Sequence, residues 1–348
     1  MGLFERAAMA RAADLPYRRG GDPVHRPSRQ PVLRRRAAPA RGGRDRRPSA
    51  AGPGRALQAE TTATMTRDTK PPIRRGFVDI DEGQVHYRTA GEAHDGLPLV
   101  MIHPSPGSSL MLVPLMQRLA RTRRVVALDT LGNGDSAPPR HLTRDILPYA
   151  DAHARALAAL GIDRFDLYGS HTGGNIACEI AIAHKDRVHR MILDGMSVYA
   201  PEEQADLLEN YAPGITVDQS GGHIHWIFNF VRDTYLFWPW YKRDKAHVRD
   251  VGLPPADVLH DKVIEVLKAA RTYHLPYQSA LAYDKEARLP LVDVPTLLSV
   301  AATDMLAVYF DAVAALLPGA QHLRTPGVST EGDAETTVAG FLSFLDGR

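Results

Sequence analysis

The residue of this chain best placed to do chemistry is His171, at the centre of Gly169-Ser170-His171-Thr172-Gly173. The run Phe165 to Tyr168 before it and Gly174-Asn175-Ile176-Ala177-Cys178 after it make the stretch read as strand, tight turn, helix. Such a turn lifts its central residue above the end of a sheet. Ser170 lies one position early: centring the turn on it puts Tyr168 and Thr172 where the turn and the strand–helix contact want glycine. The glycines therefore set the frame on His171. Imidazole titrates near 6.5 and needs no helper base, whereas a serine hydroxyl does. As a nucleophile His171 would form an acyl-imidazole that water cleaves. As a general base or acid it would move a proton on substrate or water, a contribution of about 10²- to 10⁴-fold.

Other histidines and aromatics could serve the same site. His223 and His225 lie in Gly221-Gly222-His223-Ile224-His225-Trp226. His223 is expected to hang over His171 as a second proton carrier, because paired glycines suit a close-approach loop; the alternative is a solvated loop histidine. His103 ends an apolar run and reads as a structural hydrogen-bonder. A metal held by His103, His171 and His223 has no H-x-x-H or H-x-H pair from the core to support it, so no metal is expected. Eight aromatics between Trp226 and Tyr241 exceed what a small helical unit needs to bury, so Trp226, Phe230 and Trp238 are expected to face substrate.

The elements that must position these residues follow a regular order. Phe77 to Ile80 and Val85 to Tyr87, joined through Asp81-Glu82-Gly83, read as a hairpin. Then come strand Leu99 to Ile102, helix Leu110 to Leu119, strand Arg124 to Asp129 and helix Tyr149 to Leu160. Strand Phe165 to Tyr168, helix Gly174 to Ala183 and strand Arg190 to Asp194 follow. Strands alternating with helices of this length imply parallel βαβ units. The alternation stops between about Ser197 and Pro290, where helical patterns at Glu202 to Asn210 and Val258 to Arg271 flank the aromatic cluster. It resumes with strand Thr296 to Val300, helix Tyr309 to Leu317, strand His322 to Thr325 and helix Glu335 to Leu345.

Composition narrows the class. The 348 residues, 44% hydrophobic, can bury a large core, and no apolar run approaches the roughly 20 residues that span a bilayer. The single cysteine, Cys178, excludes an internal disulfide framework and any Cys-x-x-Cys motif. The net charge of +2 hides an asymmetry: residues 1–64 carry 14 Arg and no Lys against 5 acidic residues, leaving 28 basic and 35 acidic groups for the rest. This Arg/Pro-rich head lacks periodicity and reads as disordered; the expectation is translated sequence upstream of a real start at Met65, the alternatives a flexible tail or an Arg-rich targeting peptide. It lacks the interleaved aromatics of a nucleic-acid arm, so neither nucleic acid nor membrane is an expected partner. A small-molecule substrate and a cytoplasmic location are expected, with oligomeric state open.

From residue 74 onward the chain resembles an α/β-hydrolase with a cap domain. His103-Pro104-Ser105-Pro106-Gly107-Ser108-Ser109 resembles the family's oxyanion loop, Asp129-Thr130-Leu131-Gly132-Asn133-Gly134-Asp135-Ser136 its D-x-x-G-x-G-x-S turn, and Gly169 to Gly173 its nucleophile elbow. The resemblance implies a mostly parallel eight-stranded sheet flanked by helices, an α/β core at 65–196 and 291–348, and a helical cap at 197–290. It also implies that Asp304 is the triad acid. The oxyanion hole would be the N–H of Thr172 plus one from the 104–107 loop, where Pro104 and Pro106 cannot donate and Ser105 or Gly107 must. The sequence departs from the family after the last strand: Pro326-Gly327-Val328-Ser329-Thr330-Glu331 holds no histidine, and His322 falls too early.

A base at the elbow makes the missing histidine dispensable. The expectation is a cofactor-free enzyme acting on a small apolar or aromatic ester, lactone or carbonyl compound through His171 as base or nucleophile, with Asp304 orienting it. Three alternatives stand beside it: a lyase or isomerase using His171 for proton transfer, an esterase working through Ser170, and a non-catalytic binding protein on the same scaffold.

Overall fold

In the computed structural model, which describes residues 70–92 and 96–347, alternate residues of the short apolar strands feed two separate layers. Val100 and Ile102 pack into one hydrophobic cluster and Leu99 and Met101 into the other. Val126 and Leu128 divide from Val125 and Ala127 in the same way. The period of two sends successive side chains to opposite faces, so a strand covered on both sides must be apolar throughout. All eight of these residues are buried.

The elements run β1 (Arg74–Ile80), β2 (Gly83–Ala90), β3 (Leu99–Ile102), α1 (Val113–Leu119), β4 (Val125–Leu128), α2 (Leu147–Ala159), β5 (Phe165–Ser170), α3 (Thr172–Ala183) and β6 (Val188–Asp194). An insert follows with α4 (Pro201–Asn210), α5 (Gly222–Leu236), α6 (Ala256–Lys268), α7 (His274–Ala282) and α8 (Lys285–Arg288). The sheet is completed by β7 (Thr296–Ala301), α9 (Phe310–Leu316), β8 (Gln321–Thr325) and α10 (Glu331–Leu345). Its order is β1-β2-β4-β3-β5-β6-β7-β8. The β1–β2 and β2–β4 pairs are antiparallel and the rest parallel. This is the α/β-hydrolase fold, with β5 central and its C-terminal end feeding the turn at His171. One layer is built on α2, α3 and α9, the other on α1 and α10.

The expected hairpin and every expected strand are present, and the differences lie in the helices. The helix expected from Leu110 is a 3₁₀ turn (Ser109–Leu112) followed by α1, with Pro114 in the first turn of the latter. The insert holds three helices beyond the two expected. Half of the aromatic cluster belongs to α5, whose start is hidden behind Gly221-Gly222. Asp218 supplies the missing start signal: its carboxylate accepts from Gly222 N (3.1 Å) and His223 N (2.9 Å). The insert buries its own cluster, including Leu207, Ile227, Phe230, Val263, Val266 and Tyr273. It is tied to α3 by Glu179, which accepts from Arg288 Nε (2.8 Å), Arg288 Nη2 (2.7 Å) and Tyr283 OH (2.6 Å). The Arg/Pro-rich head at 1–64 lies outside the described residues. No helix among the described residues is long and apolar enough to cross a membrane.

Candidate active site

His171 occupies the turn between β5 and α3 with φ 50° and ψ −112°, and among the described residues it is the only non-glycine with positive φ. That conformation costs of order 1–3 kcal/mol and persists only where the surroundings enforce it. Here they do. The His171 N–H donates to Asp194 O (3.0 Å), while His171 O accepts from Gly174 N (2.9 Å) and Asn175 Nδ2 (3.2 Å). A Cβ on Gly169 would collide with the carbonyl of Gly173, and one on Gly173 with the carbonyls of Ile102 and His103. The two glycines thus let helix, strand and 103–107 loop close on one another. Ser170 is still in β5, in register with Asp194, and does not hold the strained seat.

The imidazole leans toward the end of β7. Its Nε2 lies 2.8 Å from Asp304 Oδ2. Asp304 follows β7 by three residues and is itself fixed, its Oδ1 accepting from Leu306 N at 2.8 Å. Gly195 makes room for the pair: a Cβ there would sit 2.6 Å from His171 Nε2 and 2.9 Å from Asp304 Oδ2. Burial pulls the His171 pKa down, but the charge and hydrogen bond of Asp304, with Asp194 behind it, outweigh burial and leave it above the ordinary value. Burial likewise pushes Asp304 up, and the charge and hydrogen bond of His171 with the Leu306 N–H bring it below the usual carboxylate range. With Nε2–H donated to Asp304, the tautomer leaves Nδ1 as an acceptor. Asp194, an alternative acid by position, accepts instead from Tyr168 OH at 2.7 Å.

Beside His171 lies a cavity of about 40 Å³, lined by Thr172, Asn175, Gly195, Ser197, Tyr199, Tyr211, Trp238, Tyr277, Met305 and Leu306 among others. Of the expected substrate-facing aromatics only Trp238 lines it. Trp226 and Phe230, four residues apart on the inward face of α5, stack at 5.2 Å within the core of the insert, correcting that expectation. His223 is corrected too. It sits in the first turn of α5 with Nδ1 3.2 Å from Asp218 Oδ2, and does not line the cavity at His171. Tyr199, Tyr211 and Tyr277 take the lining role from outside the sequence cluster; Tyr211 lies 5.3 Å from both Trp238 and Tyr277, ring to ring. Asn175 was also missed. One helical turn beyond His171, it lines the cavity, holds the His171 carbonyl through Nδ2 and leaves its buried Oδ1 without a hydrogen-bond partner.

Thr172 opens α3, so its N–H belongs to the helix start that no intrahelical carbonyl satisfies. Ser105 is buried in the loop that Gly173 lets approach. His103 behaves as read: Nδ1 lies 2.8 Å from Pro104 O and Nε2 accepts from Thr130 N at 2.9 Å. Burial depresses its pKa, so it is a neutral strut with both nitrogens committed. His322 lies exposed on β8 with its ring against Phe310 and is not among the residues lining the cavity at His171. Among the described residues the one histidine–carboxylate group compact enough for a metal is His86, Asp129 and Asp135. Its ligand atoms are already engaged: Asp129 Oδ2 lies 2.8 Å from His86 Nδ1 and 3.0 Å from Asp135 N, and the Asp135 carboxylate pairs with Lys268 Nζ at 2.8 Å.

Residues 98–328 match the sequence profile of the α/β hydrolase fold. Over 298 residues, 79% of this chain and 100% of the relative, the sequence is 27% identical to a Caulobacter vibrioides protein named as a carbamate hydrolase, RutD. A 107-residue stretch is 43% identical to 2-hydroxymuconate semialdehyde hydrolase of Pseudomonas sp. strain CF600, spanning 36% of that protein. Among solved structures, the enol-lactonase from Burkholderia xenovorans LB400 superposes with a TM-score of 0.60 at 19% identity, covering 78% of this chain and 100% of that one.

Proposed function

Because the chain belongs to the α/β-hydrolase fold family, we propose that it is a hydrolase of a small, largely apolar or aromatic ester, lactone or related carbonyl compound, with His171 as its general base. The observation that carries the reading is the His171 Nε2–Asp304 Oδ2 hydrogen bond of 2.8 Å, made from the strained seat of the elbow beside a cavity. In a Ser-His-Asp triad the acid orients a histidine that activates a separate serine. Here the elbow residue meets the acid directly, so base and elbow are one residue and water takes the place of the nucleophile.

Nδ1 of His171 takes a proton from water, and the hydroxide oxygen adds to the substrate carbonyl. The developing oxyanion is held by the N–H groups of Thr172 and Ser105. The tetrahedral intermediate then expels the alkoxide, which takes the proton back from Nδ1–H, giving acid and alcohol. Asp304 stays ionised and stabilises the imidazolium between the two transfers. Direct attack by Nδ1, which is adjacent to the ring carbon bearing Cβ, is the alternative route. Proton transfer through one water needs less room. The insert, carrying Tyr211, Trp238 and Tyr277 over the cavity, serves as a cap.

The names of the relatives, which concern a carbamate, a semialdehyde and an enol-lactone, agree with attack on a carbonyl-type centre. Turnover of a panel of aryl esters and lactones is the test. His171→Ala should lower kcat/KM on the best substrate by about 10³-fold with the fold intact by circular dichroism. Full turnover in that variant excludes the proposal. Oxygen from labelled water should enter the acid product; absence of label would favour the lyase or isomerase alternative, in which the same pair moves protons without water.

A further inference from the structure

Asn175 brings to the cavity wall beside His171 a polar atom that the fold leaves without a use. It sits in the first turn of α3 and is 4% exposed. Its Nδ2 donates to His171 O at 3.2 Å, and that bond fixes which end of the amide is which: turned over, Oδ1 would face a carbonyl oxygen. Oδ1 is therefore the acceptor end, and among the described residues nothing donates to it. Holding the elbow carbonyl does not call for an asparagine. A serine or threonine hydroxyl bonds the carbonyl four residues back and leaves no amide oxygen over. A buried acceptor without a donor is destabilising, so the extra oxygen costs the fold something. His171 lines the same cavity and also has an unspent acceptor, because Nε2 is given to Asp304 and Nδ1 remains.

We propose that Asn175 and His171 together hold the attacking water, Asn175 Oδ1 accepting from one of its hydrogens and His171 Nδ1 from the other, which makes Asn175 a second catalytic residue. The inference rests on the hydrolytic reading above and deepens it. Space and partners both fit a water. One water needs a cavity of roughly 10–15 Å³ and at least two polar partners, and the cavity beside His171 measures about 40 Å³. Two acceptors suit a nucleophile. Both hydrogens are directed at the protein, so the lone pairs of the oxygen stay free for the substrate carbonyl. In the step, the O–H directed at Nδ1 breaks and its proton passes to that nitrogen. The freed electron pair forms the bond to the carbonyl carbon, and the carbonyl π pair moves onto the oxyanion. The second hydrogen stays on the attacking oxygen, and its bond to Oδ1 keeps the water from turning. Contact with the rest of the substrate is left to the lining from the insert, Tyr211, Trp238 and Tyr277.

Two measurements test this, one of them independent of turnover. A crystal structure of the wild-type protein should show an ordered water within hydrogen-bonding distance of both Asn175 Oδ1 and His171 Nδ1. No such water, or a protein donor on Oδ1, overturns the inference whatever becomes of the hydrolytic reading. The second measurement compares nucleophiles. Methanol carries one O–H, so giving it to Nδ1 leaves nothing to donate to Oδ1, and wild type should favour hydrolysis over methanolysis. The best aryl ester of the panel is turned over in dilute aqueous methanol, and the ratio of methyl ester to acid is measured for wild type, Asn175→Ala and Asn175→Asp. Both products come from the same active molecules, so partial unfolding of a variant does not move the ratio. Asn175→Ala removes the acceptor and should raise the ratio by about fivefold, the size of one neutral hydrogen bond. Asn175→Asp keeps an acceptor but loses the donor to His171 O, so its ratio should stay near that of wild type. A side chain that merely props the elbow carbonyl would shift both variants alike or neither, and either result overturns the inference. Acid product without oxygen from labelled water would count against the hydrolytic reading instead, and the crystal would still decide whether the two residues share a water.

Discussion

The protein holds two histidine–carboxylate pairs of equal length. His171 Nε2 lies 2.8 Å from Asp304 Oδ2, and His86 Nδ1 lies 2.8 Å from Asp129 Oδ2. Their surroundings differ in every respect that matters to chemistry. The side chains of His86 and Asp129 are 2% and 0% exposed, those of His171 and Asp304 27% and 16%. Asp129 is saturated, accepting also from Ser109 N (2.8 Å), Ser109 Oγ (2.5 Å) and Asp135 N (3.0 Å). His86 sits in regular β2 pairing opposite Phe77, whereas His171 sits at positive φ beside a cavity. Each pair lies beside a positive-φ glycine, Gly134 at Asp129 and Gly195 at His171 and Asp304. A short bond between imidazole and carboxylate therefore does not mark a site. Access, a strained backbone and an acceptor nitrogen left for substrate do.

The largest contrast is expected from removing each imidazole. His171→Ala should cost about 10³-fold in kcat/KM and little stability. His86→Ala should do the reverse, lowering stability by about 1–3 kcal/mol because a buried carboxylate loses a partner, while folded molecules turn over at nearly the wild-type rate. Urea denaturation alongside kinetics checks both. If His86→Ala abolished activity in fully folded protein, the assignment of a structural role to that pair would fail.

The glycines give a smaller contrast. Gly195→Ala puts a methyl group 2.6 Å from His171 Nε2 and so must displace the ring from Asp304. Turnover should fall by about 10- to 100-fold, beyond the modest stability loss of an alanine at φ 71°. Gly134→Ala drives its methyl into Asp129 and should act on stability alone. Kinetics that respond equally to both substitutions would erase the distinction between the pairs.

How far this was readable from sequence divides along the same line as the fold. The elbow was legible because its glycines are demanded by backbone contacts within one local unit, strand–turn–helix, and the strands because burial on both faces makes them apolar throughout. Asp304 could be placed only through the resemblance, since its partner is 133 residues away in sequence. The insert was least legible. Its helix α5 begins at an Asp218 cap hidden by two glycines, and its aromatics answer to a local core that sequence spacing does not separate from a cavity wall. Thus Trp238 was found and Tyr199, Tyr211, Tyr277 and Asn175 were not.

The smallest effect expected is a shift with pH, and it distinguishes the two pairs by sign and window. His171 must be neutral at Nδ1 to act as a base, so kcat/KM should fall on the acid side with an inflection above the ordinary histidine value of about 6.5. Asp304→Asn removes the charge that raises it and should move that inflection down. Stability follows linkage. The raised His171 contributes stability that is complete below its unfolded value and is lost as pH rises through its folded value. The lowered Asp304 contributes stability that is present above its unfolded value and is lost as pH falls through its folded one. The pair should therefore stabilise most between about pH 4 and 6.5, where both unfolded values are satisfied. Asp129 is held far lower, because burial is outweighed by the hydrogen bonds of His86, Ser109 and the Asp135 N–H, so its contribution should persist to more acid pH. Melting temperatures of wild type, Asp304→Asn and Asp129→Asn across this range separate the two. An activity inflection that stays in place in Asp304→Asn would show that the carboxylate does not set the basicity of His171, and the elbow would then have to work without its acid.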